Sequence, residues 1–290
     1  MSWRVIVISN SAKLDYQMGY LVVRARETTK VHINEIGTLI IENTAVSVTA
    51  YLLSELMKHK VKVIFCDEKY NPSSELLSYY GSHDTSVKIK KQCEWTKEEK
   101  DIVWTEIVTE KIRQQEAFLR DLGRKEADLL YSYIPQIEIG DCTNREGHAA
   151  KVYFNSLFGK DFSRADDNPT NAALNYGYSI ILSAFNREIV ANGYITQIGF
   201  FHNNMFNQFN LGSDLMEPFR ILVDRIVWEM KPEVFDREEK HEIVDILNRE
   251  VFIDDKREYV TNAIKIYVRS VFDAINEHDI SLIRFYKNEL

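Results

Sequence analysis

The sequence has few cysteines and no long apolar run, and both absences narrow the class of protein. Its three cysteines, Cys66, Cys93 and Cys142, are odd in number and widely spaced, which supports neither a disulfide framework nor a zinc motif. The longest charge-free runs contain Asn, Gln, Tyr, Gly and Ser, so they are too polar for a membrane span of about 20 mainly apolar residues. The N-terminus carries an early charge, Arg4, and an apolar run shorter than the core of a signal peptide. We therefore expect a cytoplasmic globular protein with no membrane partner.

The chain also has no excess of positive charge, since its formal net charge is −8. An acidic protein is a poor candidate for nucleic-acid binding, which depends on Lys and Arg facing phosphates. The excess is uneven, however: residues 231–258 hold ten acids and six bases, whereas residues 145–225 hold eight acids and seven bases. The central part of the chain can therefore present a basic surface. With 290 residues, of which 45% are hydrophobic, the chain is long enough for one large domain or two ordinary ones.

The first ninety residues predict a small β domain. Short segments of extended character alternate with Ser-Asn, Asp, Gly and Glu-Thr breaks. These predicted strands cover 4–9, 13–16, 19–24, 30–33, 38–41 and 61–66. One helix interrupts them, with Thr44 as its predicted cap and apolar residues at every fourth position from Val48 to Leu56. The polar stretch 82–92 is interpreted as the end of this domain and its linker, so the first domain is predicted to span residues 1–92.

Residues 93–290 predict a larger, nearly all-helical domain, which makes the fold class α+β. Thr96 and Glu99 form a capping-box pattern, and Trp104, Val108 and Ile112 begin the apolar stripe of a long amphipathic helix. Further helices are predicted at 145–158, 169–191, 214–230, 237–251 and 257–277, with a short one from Ile280.

A histidine and two acids in the middle of the chain have the composition of a site for a hard metal ion. His202 precedes Asp214 and Glu217, which are three residues apart, one turn of a helix. Between Asn168 and Ser213 only two residues are Asp, Glu, Lys or Arg, so we expect His202 in the buried part of the domain, where an unpaired charge is costly.

Each member of this group also has an ordinary explanation. His202 lies among aromatic residues, which is also typical of a histidine in a core or a lid. The neighbouring Asn and Gln side chains can satisfy loop backbone as readily as they can contact a ligand. Glu217, Arg220 and Asp224 have the spacing of ion pairs on one helix face. Asp214 fits a first-turn acid after a Ser213 cap. Pro218 favours a special role, because a proline inside a helix removes the hydrogen bond to the carbonyl four residues earlier and kinks the axis.

Glu146 is the third candidate acid, and its sequence context is ambiguous. The spacing of Thr143 and Glu146 is that of a capping box, which would use the carboxylate to start a helix. Gly147 is unusual in a first helical turn, where it costs up to about 1 kcal/mol relative to alanine. A glycine there allows another backbone to approach closely.

These segments resemble the integrase of CRISPR adaptation, the universal metal-dependent nuclease subunit of spacer acquisition. The resemblance rests on three segments, REGHAAKVYF at 145–154, NPTNAALNYGY at 168–178, and His202 followed by SDLMEPFR at 213–220. It includes the layout of a small β domain before a larger helical one. The short chain, without fused modules, is similar to the form found in type II systems.

The resemblance implies a site and a reaction. It places metal ligands at Glu146, His202 and Glu217, with Asp214 as an adjacent helper, although many members have aspartate at the position of Glu217. Imidazole with carboxylates suits Mn²⁺ or Mg²⁺. The implied activity is attack by the 3′-hydroxyl of a short DNA duplex on a phosphodiester at a repeat end. The implied partners are double-stranded DNA, a second copy of the chain as a homodimer, and a small ferredoxin-like subunit.

Four basic residues are predicted to contact DNA phosphates because they are near the ligands in sequence: Arg145, Lys151, Arg164 and Arg220. Each is equally suited to an ion pair or a solvated surface. Two other functions stay open. A non-catalytic scaffold that binds DNA ends would use the same acids structurally, and a nuclease for branched DNA would cut without joining.

Overall fold

The computed structural model describes residues 4–78 and 82–287. It has a β-rich N-terminal part followed by a mostly helical part, so the predicted α+β class is confirmed. Within the described residues, no helix combines the length and apolar character needed to cross a bilayer. Cys66 is buried, Cys93 and Cys142 are exposed, and all three are free thiols.

The N-terminal part contains two four-stranded sheets. The strands and the helix between them are β1 (Arg4–Ile8), β2 (Lys13–Gln17), β3 (Tyr20–Arg24), β4 (Thr28–His32), β5 (Ile36–Ile41), β6 (Ser47–Val48), α1 (Ala50–Lys58), β7 (Lys62–Cys66) and β8 (Pro72–Leu76). One sheet has the order β1-β5-β7-β8 and the other the order β4-β3-β2-β6. Every residue of β5 is buried, and β5 pairs in parallel with both β1 and β7, as its mainly apolar sequence indicates.

One local prediction in this part was wrong, and two elements were missed. The helix α1 is capped by Thr49, whose side chain accepts a hydrogen bond from the Leu52 amide, and not by Thr44. The strand β8 was not predicted. The stretch 82–92, predicted to be the end of the first domain and its linker, contains a helix that was not predicted, α2 (Thr85–Glu94). Gln92 on α2 is buried, and its amide exchanges hydrogen bonds with Ile195 and Ile198, a tertiary contact that the local sequence does not encode.

The C-terminal part is built from helices and one hairpin. Its elements are α3 (Lys97–Asp121), α4 (Glu126–Tyr133), α5 (Arg145–Phe158), α6 (Pro169–Ala191), α7 (Asn210–Leu215), α8 (Arg220–Met230), α9 (Arg237–Val244), β9 (Glu250–Ile253), β10 (Lys256–Tyr259) and α10 (Val260–Glu277). Short 3₁₀ turns cover Ile33–Glu35, Ile134–Gln136, Ile139–Asp141, Glu217–Phe219, Asp245–Asn248 and Ile280–Leu282. The predicted bounds of α5 and α6 and the capping box of α3 are confirmed.

The predicted helix over 214–230 is broken at the proline. α7 ends at Leu215, Pro218 lies inside the 3₁₀ turn Glu217–Phe219, and α8 starts at Arg220. The Tyr286 hydroxyl donates a 2.9 Å hydrogen bond to the Pro218 carbonyl, so the break is stabilised from the far end of the chain. Asp214 and Glu217 therefore lie on different elements.

The hydrophobic residues form two core clusters. The smaller one lies among the strands and α1 and includes Leu14, Leu21 and Leu52. The larger one lies among the helices but also takes in Ile40 and Ile64 from the first sheet. That sheet therefore packs against the helical part, and the division of the chain after residue 92 stays a prediction.

Candidate metal centre

Glu146 lies in the first turn of α5 with its carboxylate free of any capping role. The helix cap is Asn144, whose side chain accepts a hydrogen bond from the Gly147 amide, so the capping box predicted from Thr143 was wrong. Asp141 accepts hydrogen bonds from the amides of Arg145 at 2.7 Å and Glu146 at 3.0 Å. Since two other side chains satisfy these helix amides, the Glu146 side chain can point elsewhere.

Gly147 is required by the cap and not by an approaching backbone. A Cβ atom at this position would lie 2.7 Å from Oδ1 of Asn144. The cap side chain therefore fills the space that any larger residue would need, which differs from the predicted role of this glycine.

His202 lies on a loop that is held in place by Asp214. One carboxylate oxygen of Asp214 accepts hydrogen bonds from the amides of Phe200, at 2.6 Å, and Phe201, at 3.0 Å. The other accepts from the His202 amide at 3.0 Å. Asp214 is completely buried, whereas 37% of the His202 side chain is exposed, so the prediction that His202 is buried was wrong. Asp214 sits near the end of α7 and is not a first-turn acid.

The imidazole of His202 is oriented by the same carboxylate. Its Nδ1 lies 2.5 Å from Oδ1 of Asp214. Because the carboxylate only accepts, Nδ1 carries the proton, which leaves Nε2 with a free lone pair in the neutral ring. The hydrogen bond to Asp214 is the main reason that the pKa of His202 is raised, and the charge of Glu217 also contributes. Trp104 stacks on Phe201 with ring centroids 4.6 Å apart and meets His202 edge to face.

Glu217 is a buried carboxylate with a cation on each oxygen. Its Oε1 accepts from Arg220 at 3.0 Å and its Oε2 accepts from Lys111 at 2.5 Å. Burial favours the neutral acid, but the charges of Arg220 and Lys111 outweigh it and lower the pKa of Glu217. The ion pair of Glu217 with Arg220 that the spacing suggests is therefore present.

Lys111 is the site residue that was not predicted from the sequence. It comes from α3, and its ammonium also donates to Oε1 of Glu146. One cation thus joins two carboxylates that are far apart in the chain. The available signal was its place on the helix, three residues after Val108 and four before Gln115, both of which are buried. A lysine on a buried stripe needs a partner.

Asp224 is held by two tyrosine hydroxyls and, within the described residues, forms no ion pair with Arg220. It accepts hydrogen bonds from the hydroxyls of Tyr153 at 3.0 Å and Tyr178 at 2.5 Å. Burial raises its pKa to about 6.

The four basic residues predicted to contact DNA have different surroundings. Lys151 is exposed on α5. The Arg145 guanidinium lies 5.5 Å from the ring centre of Tyr133. Arg164 donates to the side-chain oxygens of Asn171 and Asn175, and Arg220 is paired with Glu217. Their roles toward DNA stay predictions.

The amides near His202 mainly satisfy the loop itself. The side-chain oxygens of Asn204 and Asn207 accept from the backbone amides two residues later. Asn210 is buried and donates to the carbonyls of Gln197 and Asn204. Asn204, Asn207 and Asn210 therefore satisfy the loop backbone, which is the structural alternative given above. They stabilise the loop that carries His202.

The donor set fits a divalent cation. Among residues 4–78 and 82–287, no three His, Cys, Asp or Glu side chains are arranged so that they could hold a metal by themselves. Two carboxylates, however, point at one positive charge, the Lys111 ammonium, and the nearby imidazole keeps Nε2 free. Such a combination of oxygen and nitrogen ligands suits Mn²⁺ or Mg²⁺ better than a soft ion.

Comparisons with known proteins identify the family of this chain. The family described as CRISPR associated protein Cas1 matches residues 5–244. A CRISPR-associated endonuclease Cas1 from Neisseria meningitidis serogroup C (strain 8013) is 36% identical over 230 residues, which span 78% of this chain and 75% of that protein.

Two solved structures show the same fold at low sequence identity. A chain of a Cas6-RT-Cas1--Cas2 complex matches 99% of this chain with a TM-score of 0.75 and 16% identity, and this chain spans 36% of its length. A casposase bound to integration product has a TM-score of 0.73 and 18% identity to this chain. The match covers 97% of this chain and 92% of the casposase chain. Because the family model matches most of the residues, the chain belongs to the Cas1 family of CRISPR-associated proteins.

Proposed function

We propose that this protein is a metal-dependent DNA endonuclease and integrase of CRISPR adaptation, which inserts short DNA fragments into a repeat array. The curated relative is a CRISPR-associated endonuclease, and a structural neighbour is bound to an integration product. Both support an enzyme that acts on DNA strands.

One observation carries the proposal. Glu146 and Glu217 share a single cation, Lys111, and the adjacent His202 is held in the tautomer that presents Nε2. A structural ion-pair network does not require an oriented imidazole beside it. Metal-binding histidines typically use the other ring nitrogen to donate to a carboxylate, as His202 does to Asp214.

Glu146, Glu217 and Nε2 of His202 would hold the ion, which we propose to be Mn²⁺ or Mg²⁺. When bound, such an ion lowers the pKa of an attacking hydroxyl and offsets charge on a phosphoryl group and its leaving oxygen. Asp214 accepts from Nδ1 of His202, so that Nε2 is the unprotonated nitrogen of the neutral ring, and it fixes the direction of the ring. Arg220 holds one oxygen of Glu217, so that the other oxygen faces the site.

The reaction that we propose is a transesterification. The 3′-hydroxyl of the DNA fragment attacks a phosphodiester at a repeat end, and the bond from phosphorus to the leaving 3′-oxygen breaks as the new bond forms. No covalent intermediate with the protein is needed. The protein's task is to position two DNA segments at one site.

The proposed partners are DNA, a second copy of the chain and a small ferredoxin-like subunit. One structural neighbour is part of a complex that contains Cas2, which supports a protein partner. Exposed Lys151 lies on the same helix as Glu146, and we propose that it contacts a phosphate together with Arg145 and Arg164. Contacts of this kind position DNA and carry little base specificity.

Strand transfer on a labelled branched DNA, which mimics a half-integrated end, tests the proposal. The wild-type protein is compared with His202→Ala and Glu217→Gln in Mn²⁺, and each is checked by circular dichroism. The matched control is His278→Ala, since His278 is 69% exposed at the end of α10 and pairs with Glu99. We expect the wild type and the control to rejoin the continuous strand, and the two site variants to fail while remaining folded.

Three other results would overturn the proposal. Cleaved products without new junctions would indicate a nuclease for branched DNA. Equal activity in all four proteins would remove the site, and inactivity of all four, in the presence of the small partner as well, would favour a scaffold that binds DNA ends.

A further inference from the structure

Lys111 occupies the position between the two candidate carboxylate ligands. Its side chain is 8% exposed, and its ammonium donates to Oε1 of Glu146 and to Oε2 of Glu217. It reaches the site from α3, which is separate from the elements that carry the acids. A buried ammonium is retained only where its charge is compensated, and these two carboxylates are the compensation.

The charges of this cluster balance without an added ion. Glu146 and Glu217 carry two negative charges, and Lys111 and Arg220 carry two positive ones. A divalent ion that joined this cluster would face the Lys111 ammonium at short range, and like charges in a poorly solvated site repel strongly. The ion and the ammonium would therefore compete for the same two carboxylates.

We infer that Lys111 is a positioning residue that serves as a built-in counter-cation, holding Glu146 and Glu217 together and competing with the divalent ion for them. This inference rests on the metal site of the proposed function. It assigns to Lys111 a control over metal affinity, because the ion binds only as the ammonium withdraws from the carboxylates.

A purely structural role for Lys111 predicts a different result. If Lys111 only ties α3 to the two acids, its removal lowers stability and leaves the affinity for metal unchanged. If it competes, its removal leaves two adjacent carboxylates without their cation, and the affinity for metal rises. The two roles thus separate on a binding measurement that involves no DNA and no turnover.

The experiment is a titration of the full chain with Mn²⁺, with free Mn²⁺ followed by electron paramagnetic resonance. Lys111→Met keeps the length and the apolar stem of the side chain and removes the charge. Lys62→Met is the matched control, since Lys62 is also buried, with its side chain 2% exposed, and pairs with Glu75 away from the site. We expect Lys111→Met to bind Mn²⁺ at least about tenfold more tightly than the wild type, and Lys62→Met to bind like the wild type.

Thermal unfolding gives an independent readout. In EDTA, Lys111→Met should unfold at a lower temperature than the wild type, because two carboxylates then repel each other. Added Mn²⁺ should raise its midpoint by more than it raises the midpoint of the wild type. Lys111→Gln, which is neutral but keeps a hydrogen-bond donor, serves as the second variant if Lys111→Met does not fold, and the same affinity criterion applies to it.

The possible failures are distinguishable. Binding of Mn²⁺ by the wild type with equal or weaker binding by the neutral Lys111 variants overturns the inference and leaves the metal site intact. Absence of binding in every protein overturns both the metal site and the inference.

Discussion

The replacement Asp214→Asn should separate the two tasks of this buried residue, namely holding the loop and orienting His202. Each carboxylate oxygen of Asp214 accepts two hydrogen bonds from nitrogen donors. An asparagine has one oxygen and one NH₂ group, so it cannot serve both sides. If the NH₂ group faces Phe200 and Phe201, two backbone donors lose their acceptor. If it faces His202, one backbone donor is lost and the imidazole must move its proton to Nε2.

Each unsatisfied buried donor costs about 1–3 kcal/mol, so the loss of two donors should cost about 2–6 kcal/mol. Unfolding entropy of about 2.1 cal/mol/K per residue amounts to about 0.6 kcal/mol/K for 290 residues, and the midpoint of thermal unfolding should fall by about 3–10 °C. Because the tautomer is no longer fixed, we also expect Mn²⁺ affinity to fall by about 10–100-fold. Calorimetry and the Mn²⁺ titration measure the two effects.

The matched control is Asp224→Asn at pH 7.5. Asp224 is as buried as Asp214, but its partners are the hydroxyls of Tyr153 and Tyr178, which can rotate to accept from an amide. We expect this control to cost less than about 1 kcal/mol. Equal losses in the two variants, or a midpoint for Asp214→Asn within about 1 °C of the wild type, would refute the role given to the fixed backbone donors.

Three further outcomes are expected. Burial raises the pKa of Asp224 to about 6 from 3.8, so the folded protein binds the proton more tightly and stability falls as the pH rises from about 4 to about 6, by up to about 3 kcal/mol. Asp224→Asn should flatten this part of the profile in urea unfolding, and unchanged profiles would contradict it. Tyr286→Phe removes the donor to the Pro218 carbonyl and should cost about 1–3 kcal/mol by the same assay; no loss would mean that the proline break needs no such support. Phe206 is 85% exposed on the His202 loop, so Phe206→Ser should leave thermal stability unchanged. If the ring stacks on a base, the replacement should weaken DNA binding, measured by fluorescence anisotropy, by about 1–3 kcal/mol. Equal affinity of the two proteins for DNA would exclude the stacking.

Helix limits were predictable where the chain itself supplies the boundary. Asn168 caps α6 and Pro169 occupies its first position, a combination that reads directly from the sequence. The hairpin of β9 and β10 was missed because its turn is formed by Asp254 and Asp255, both with positive φ. Aspartate tolerates that conformation, but the pair is a weaker signal than a turn with glycine.

The sequence and its family resemblance indicated the acids and the histidine of the candidate site but not their geometry. Glu146 and His202 are far apart in the chain, and only the fold brings α5 and the His202 loop to the same side of α3. Lys111 was hidden because lysine is common on helix surfaces. Lys111 can be buried because Glu146 and Glu217 compensate its charge. Both acids are far from it in the chain, so no local sequence pattern connects them.

The break at Pro218 explains why two acids at one-turn spacing have different roles. On a continuous helix, Asp214 and Glu217 would share a face and would be equivalent as ligands. In the folded chain, both oxygens of Asp214 are filled by donors that are fixed by the backbone and by His202. The oxygens of Glu217 instead face two side-chain cations, and a cation can be exchanged for another. We therefore infer that Glu217 is the direct ligand and that Asp214 acts through His202.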